Sequence, residues 1–210
     1  MAAGQRQTYG EEVANVLTHG AGMLFGMTAI IVLMMAAIRS GNPWAIGSFA
    51  VYAVCMALSY VTSTFYHAST HARQKRLLRR FDHGAIYLHI AGTYTPFTLL
   101  ALRQEGYWGW SLFAVIWIAA VIGVWLSFRK MRKKDHLKTV CYLAMGWVVI
   151  IAFKPLLHVF RETGSMNVLY WLIGGGLFYT VGCLFFFLDK YKYMHPVWPV
   201  SYTHLRAHET

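Results

Sequence analysis

Ser63 and His67 stand four residues apart, so on a helix they share one face. Asp82 opens the next apolar segment, and Asp82, His89 and Thr93 recur at intervals that line one face of a helix. His195 precedes Pro196. Proline is favoured at the first position of a helix, so His195 reads as the start of a further one. Two imidazoles and a carboxylate suit a catalytic zinc, which takes three protein ligands and keeps one position for water. Bound zinc lowers the pKa of that water to about 7 and polarises a substrate carbonyl. His67, Asp82 and His195 are therefore the candidate metal ligands, with Ser63 on the same helix face as His67. A blander reading stays open beside this one. Asp82, coming after a basic link, could serve as a helix N-cap, and many of the ten histidines could be interfacial. His67 and His71 are a second pair at helical spacing, but His71 falls where the helix should give way to the basic link.

These residues need elements to carry them, and the composition says which kind. Of 210 residues, 57% are hydrophobic and 13% charged, against about 25% charged in an ordinary soluble domain. A soluble core of this size could not hide so much apolar surface, whereas a bilayer solvates it. Six apolar runs, near 13–38, 44–66, 84–102, 107–128, 137–158 and 168–188, each approach the roughly 20 residues that cross hydrocarbon as a helix. None alternates polar with apolar as a β-barrel strand does. The spacing of Gly22 and Gly26, and the crowding of Gly174, Gly175, Gly176 and Gly182, predict close helix packing. Cys55, Cys141 and Cys183 lie inside apolar runs without metal-ligand spacing and read as small buried hydrophobes. Residues 1–12 are polar, with no signal-peptide core, so the first span is expected to direct insertion.

The net charge of +11 would suit nucleic acid in a soluble chain. Here the cations gather in short links between apolar runs, so no nucleic-acid partner is expected and membrane lipids are. The link after the second run holds Arg73, Lys75, Arg76, Arg79 and Arg80, and that after the fourth holds Arg129, Lys130, Arg132, Lys133 and Lys134. The intervening links hold only Arg39, Arg103 and Arg161. The positive-inside rule makes the basic links and the N-terminus cytoplasmic, and the inner (plasma) membrane is the expected location. Glu12, Asn15, His19, His67, Asp82, His83 and His195 then share the cytoplasmic depth.

Five stretches, EEVANVLTHG at 11–20, STFYH at 63–67, FDHGAIY at 81–87, AGTYTP at 91–96 and YLAMGW at 142–147, resemble the hemolysin III family. This is the bacterial branch of the progestin and adipoQ receptor proteins, whose members are also called membrane homeostasis proteins. The resemblance runs from about Glu11 to Trp198. It implies an all-α transmembrane seven-helix bundle with a cytoplasmic N-terminus and a zinc site near that face. The family's pattern is Ser-x3-His on helix two, Asp at the start of helix three and His-x3-His on helix seven. Ser63, His67, Asp82 and His195 match it. It further implies a role in membrane lipid and energy homeostasis, and a superfamily link to metal-dependent amide hydrolases. A lipid amide or ester is then the expected substrate, with Asp82 orienting water or acting as base and Ser63 stabilising the oxyanion. The hemolysin name implies a pore-forming or cytolytic activity, and the alternative to an enzyme is a receptor-like sensor or cytolysin with a structural zinc. One departure stands out: Pro199 occupies the place of the second helix-seven histidine. The tail 199–210 is too polar to span a membrane and reads as foreign to the 1–198 membrane domain. Six complete spans and a truncated seventh are expected, with zinc held weakly.

Overall fold

A computed structural model describes residues 9–129 and 136–187. The chain is largely helical in this region: α1 (Tyr9–Ser40), α2 (Pro43–Ala68), α3 (Ala72–Pro96), α4 (Trp108–Phe128), α5 (His136–Trp147), α6 (Phe153–Glu162) and α7 (Met166–Phe187). A π-helical turn, Phe97–Ala101, follows α3, and a 3-10 stretch, Val148–Ala152, joins α5 to α6. Five stretches are long and apolar enough to cross a membrane: Gly20–Ser40, Pro43–Ala68, Trp108–Phe128, Lys138–Glu162 and Met166–Cys183. They carry the first, second, fourth, fifth and sixth apolar runs. Side chains such as Leu24, Val121 and Ile151 face outward, each more than 60% exposed, as a lipid-solvated surface requires.

The third run lies on α3 and the π-helical turn. Between α2 and α4, against both of which it packs, α3 buries a row from His83 to Thr95. It also begins twelve residues before the apolar run that predicted it. The basic link is thus helix rather than loop, since Arg, Gln, Lys and Leu are all good helix formers. Asp82 lies well inside α3, which removes the N-cap reading. His71 is the residue that precedes α3, beyond the end of α2 at Ala68. It therefore does not extend the helical face of His67.

Local chemistry sets the helix ends. Gly41 adopts a left-handed φ of 64° between α1 and α2, where a side chain would be strained. Asn42 Oδ1 then accepts from the Trp44 N–H at 3.0 Å, with Pro43 in the first turn of α2. Pro96 removes an N–H from the end of α3, and the π-helical turn follows. There the Thr98 hydroxyl reaches the Tyr94 and Thr95 carbonyls at 3.1 and 3.0 Å. Pro155 acts similarly in the fifth span. It has no N–H for the Ile151 carbonyl, and the helix tightens to 3-10 just before it. The Tyr94 hydroxyl bridges that break, donating to Gly146 O at 2.7 Å and accepting from the Val149 N–H at 3.0 Å. Backbone groups freed inside a membrane need such a partner.

Close helix approach is visible at Gly26, where a Cβ would meet Met56, and at Gly92, where it would meet Cys55 at 2.7 Å. Gly175, by contrast, has open space around it. Cys55 and Cys183 are buried and all three cysteines are free thiols. The truncated seventh span expected from the sequence, the tail 199–210, His195, Pro199 and most of the second basic link lie outside the described residues.

Candidate functional site

The last turns of α2 and the middle of α3 bring the predicted polar residues together. Ser63 and His67 are both about 4% exposed on one face of α2. The Ser63 hydroxyl hydrogen-bonds the Asp82 carboxyl, and Arg79, one turn earlier on α3, places its charge near the same carboxyl. Tyr66 stacks at a tilt on His67, with ring centroids 4.6 Å apart, and Lys75 Nζ lies 5.4 Å from the Tyr66 ring. The pairing of Ser63 with Asp82 follows from helix direction. One helix runs into this layer and the next runs out of it, so residues 19 positions apart meet.

Two neighbours, His83 and Tyr142, carry no chemical role in the sequence, although His83 is expected at the same depth. His83 is buried, and Arg79 Nε donates toward its Nε2 at 3.4 Å. Tyr142, from α5, donates its hydroxyl to the His83 carbonyl oxygen at 3.0 Å and packs on the Tyr87 ring at 4.5 Å. The fifth span is thereby tied to the layer of Asp82. The only signal for this was that Tyr142 opens the YLAMGW stretch; nothing in its spacing points to His83. Glu12, Asn15 and His19 fall in the first turns of α1, which the topology puts at the same end.

A cavity of about 360 Å³ opens next to this layer, between α2, α3, the broken fifth span and α7. Ser59, one turn along α2 from Ser63, is in its wall, as are His89 and Thr93 of α3. The face that the sequence assigns to Asp82, His89 and Thr93 thus runs from the polar layer into the cavity. The rest of the lining is largely apolar and aromatic, and the volume lies within the range of small-molecule sites.

The donor chemistry of this layer suits zinc in part. His67 offers an imidazole and Asp82 a carboxylate, but two donors do not make the three-ligand set of a catalytic site. No group of three potential ligands occurs among the described residues. His195, expected to complete the set, lies outside them.

A family model described as "Haemolysin-III related" matches residues 7–201. The chain belongs to the haemolysin III family. It is 42% identical over 188 residues to Hemolysin-3 of Bacillus cereus, a match covering 90% of this chain and 83% of that protein. It is 39% identical over 191 residues to a Hemolysin-3 homolog of Bacillus subtilis (strain 168), covering 91% and 87%. All five stretches that carried the resemblance fall within the matched residues. As a haemolysin III family member the chain is a multi-pass helical membrane protein, and the apolar helices of the fold accord with that.

Proposed function

We propose that this haemolysin III protein is a membrane-embedded hydrolase of a lipid amide or ester, acting in membrane lipid homeostasis. In this reading its polar layer faces the cytoplasm of the inner-membrane protein. The single observation that carries the reading is the buried Ser63–Asp82 hydrogen bond, with His67 one turn along α2 and an apolar cavity alongside. Ionisable groups inside a membrane are costly and are kept mainly where they work. The cavity is placed to take the acyl chain while the carbonyl reaches the polar layer.

The chemistry follows from the residues. Asp82 accepts a proton from water as the water oxygen bonds to the substrate carbonyl carbon. Ser63 has one hydroxyl proton, which in the resting arrangement goes to Asp82. Once Asp82 is protonated it can donate to Ser63, and the Ser63 proton is then free for the carbonyl oxyanion. Collapse breaks the bond to the leaving group, which departs as amine or alcohol with the proton held by Asp82, leaving a fatty acid. A zinc ion held by His67, Asp82 and His195 would polarise the carbonyl and acidify the water.

A second reading has its own support. The relatives are named hemolysins, and a lytic protein needs no hydrolysis. A pore would need a polar stripe through the full depth of the bundle. Among the described residues, Ser63, His67, His83, Ser127, Lys138 and Thr139 are buried at one end, beside an apolar cavity, while the buried hydroxyls of Ser48, Thr95 and Thr98 toward the other end donate to carbonyls of their own helical segments, an arrangement that favours the enzyme.

The test is release of fatty acid from a ceramide-type amide and a matching ester by zinc-saturated protein in detergent, with Asp82→Asn as the control. Turnover that the control loses supports the hydrolase. Dye leakage from vesicles without any fatty-acid release would favour the lytic reading.

A further inference from the structure

His89 is a second polar station in the same cavity, and the hydrolytic chemistry does not use it. It lies seven residues beyond Asp82 on α3, about 10 Å along the helix axis at 1.5 Å per residue. Tyr52 and Tyr60 of α2 flank its imidazole edge-on, with ring centroids 6.4 and 6.3 Å away. These contacts fix the plane of the ring and leave its nitrogens uncommitted. No hydrogen bond joins His89 to any other described residue, and His89 lines the cavity. Around it in the wall stand Tyr60, Ser59 and Thr93. The Thr93 hydroxyl donates to the Ile90 carbonyl at 2.7 Å, so its oxygen is left to accept. A polar side chain in a membrane interior without a partner carries a desolvation cost. An occupant of the cavity with a matching group removes that cost.

We infer that the cavity selects a lipid whose acyl chain carries a hydroxyl group in mid-chain, recognised by His89 together with Thr93 and Tyr60. The inference rests on the lipid-hydrolase reading for the acyl chain itself and adds the recognition element. An uncharged imidazole offers one donor and one acceptor nitrogen. A hydroxyl both donates and accepts, so it satisfies this site, whereas a plain methylene leaves the imidazole unsatisfied. The 10 Å offset from the Asp82 layer places that hydroxyl well down the chain when the carbonyl lies at the polar layer.

The experiment is equilibrium binding, by calorimetry in detergent, of ricinoleate and of oleate, the same chain without the hydroxyl. Wild-type protein is expected to bind ricinoleate about tenfold more tightly, the scale of one buried hydrogen bond. His89→Leu should abolish the preference and retain oleate binding, while His89→Gln, which keeps a donor and an acceptor, should retain it. Folding of each variant is checked by its elution as a single species. Equal affinities in the wild type, no binding of either lipid, or a preference that survives His89→Leu would each overturn the inference. Fatty-acid release is measured separately, on the wild-type protein, with Ser63→Ala as the control. Selective binding with no hydrolysis would defeat the enzyme reading and leave the recognition site standing.

Discussion

Where α2 runs into α3, Ser63, His67 and His83 are each more than nine-tenths buried, and Tyr142 reaches across from the fifth span to the His83 carbonyl. At the opposite end of the bundle the contacts lie open. Arg103 stacks on Trp44 at 4.5 Å, Trp44 meets Trp110 edge-on at 5.8 Å, and His158 lies 3.4 Å from Glu105 with most of its side chain exposed. Buried polar groups must be satisfied by one another or by a ligand, because the loss of a partner is expensive there. Exposed charge pairs can exchange partners with water and contribute little. The two ends therefore differ in what they can be for. One is a layer of enclosed polar groups suited to chemistry, the other a set of surface ties between neighbouring spans.

The sharpest way to break that contrast is Ser63→Ala. Loss of an oxyanion donor is expected to lower fatty-acid release by about 10²–10³-fold, with the protein still folded. An unchanged rate would take Ser63 out of the chemistry. Gly92→Val tests the packing that brings α2 and α3 together. Its Cβ would stand 2.7 Å from Cys55 Cβ and 3.5 Å from the Tyr52 backbone, and overpacking of this kind costs roughly 1–3 kcal/mol. A clear fall in the midpoint of thermal aggregation in detergent is expected. Tyr142→Phe removes the hydroxyl bond to the His83 carbonyl and should cost about 1 kcal/mol by the same measurement. Glu105→Gln, at the other end, should change stability by less than about 1 kcal/mol. A larger loss there than in Tyr142→Phe would erase the distinction between the ends.

The spans were legible because hydrophobicity of membrane length leaves few alternatives to a helix. Their interruptions were harder to see. The charged first turns of α3 look like a link to any reading that follows apolar runs, although their residues favour helix. Pro155 marks the break in the fifth span, yet the hydroxyl that satisfies it comes from Tyr94, two spans earlier. Ser63, His67 and Asp82 were readable as one group because helix direction fixes depth. His83 with Tyr142 was not, being a contact across 59 residues that no local spacing encodes. His89 and Thr93 were readable as a face, but only the folded chain puts a cavity in front of them.

The proposed hydrolase requires the enclosed layer to hold zinc with His67 among its ligands. Chelator-competition titration of zinc tests it most directly on three proteins: this chain, His67→Ala and Pro199→His. Zinc should bind this chain weakly and Pro199→His more tightly. His67→Ala should bind more weakly still, by more than the roughly 10–100-fold typical of losing a supporting contact. Equal zinc affinity in all three proteins would contradict it.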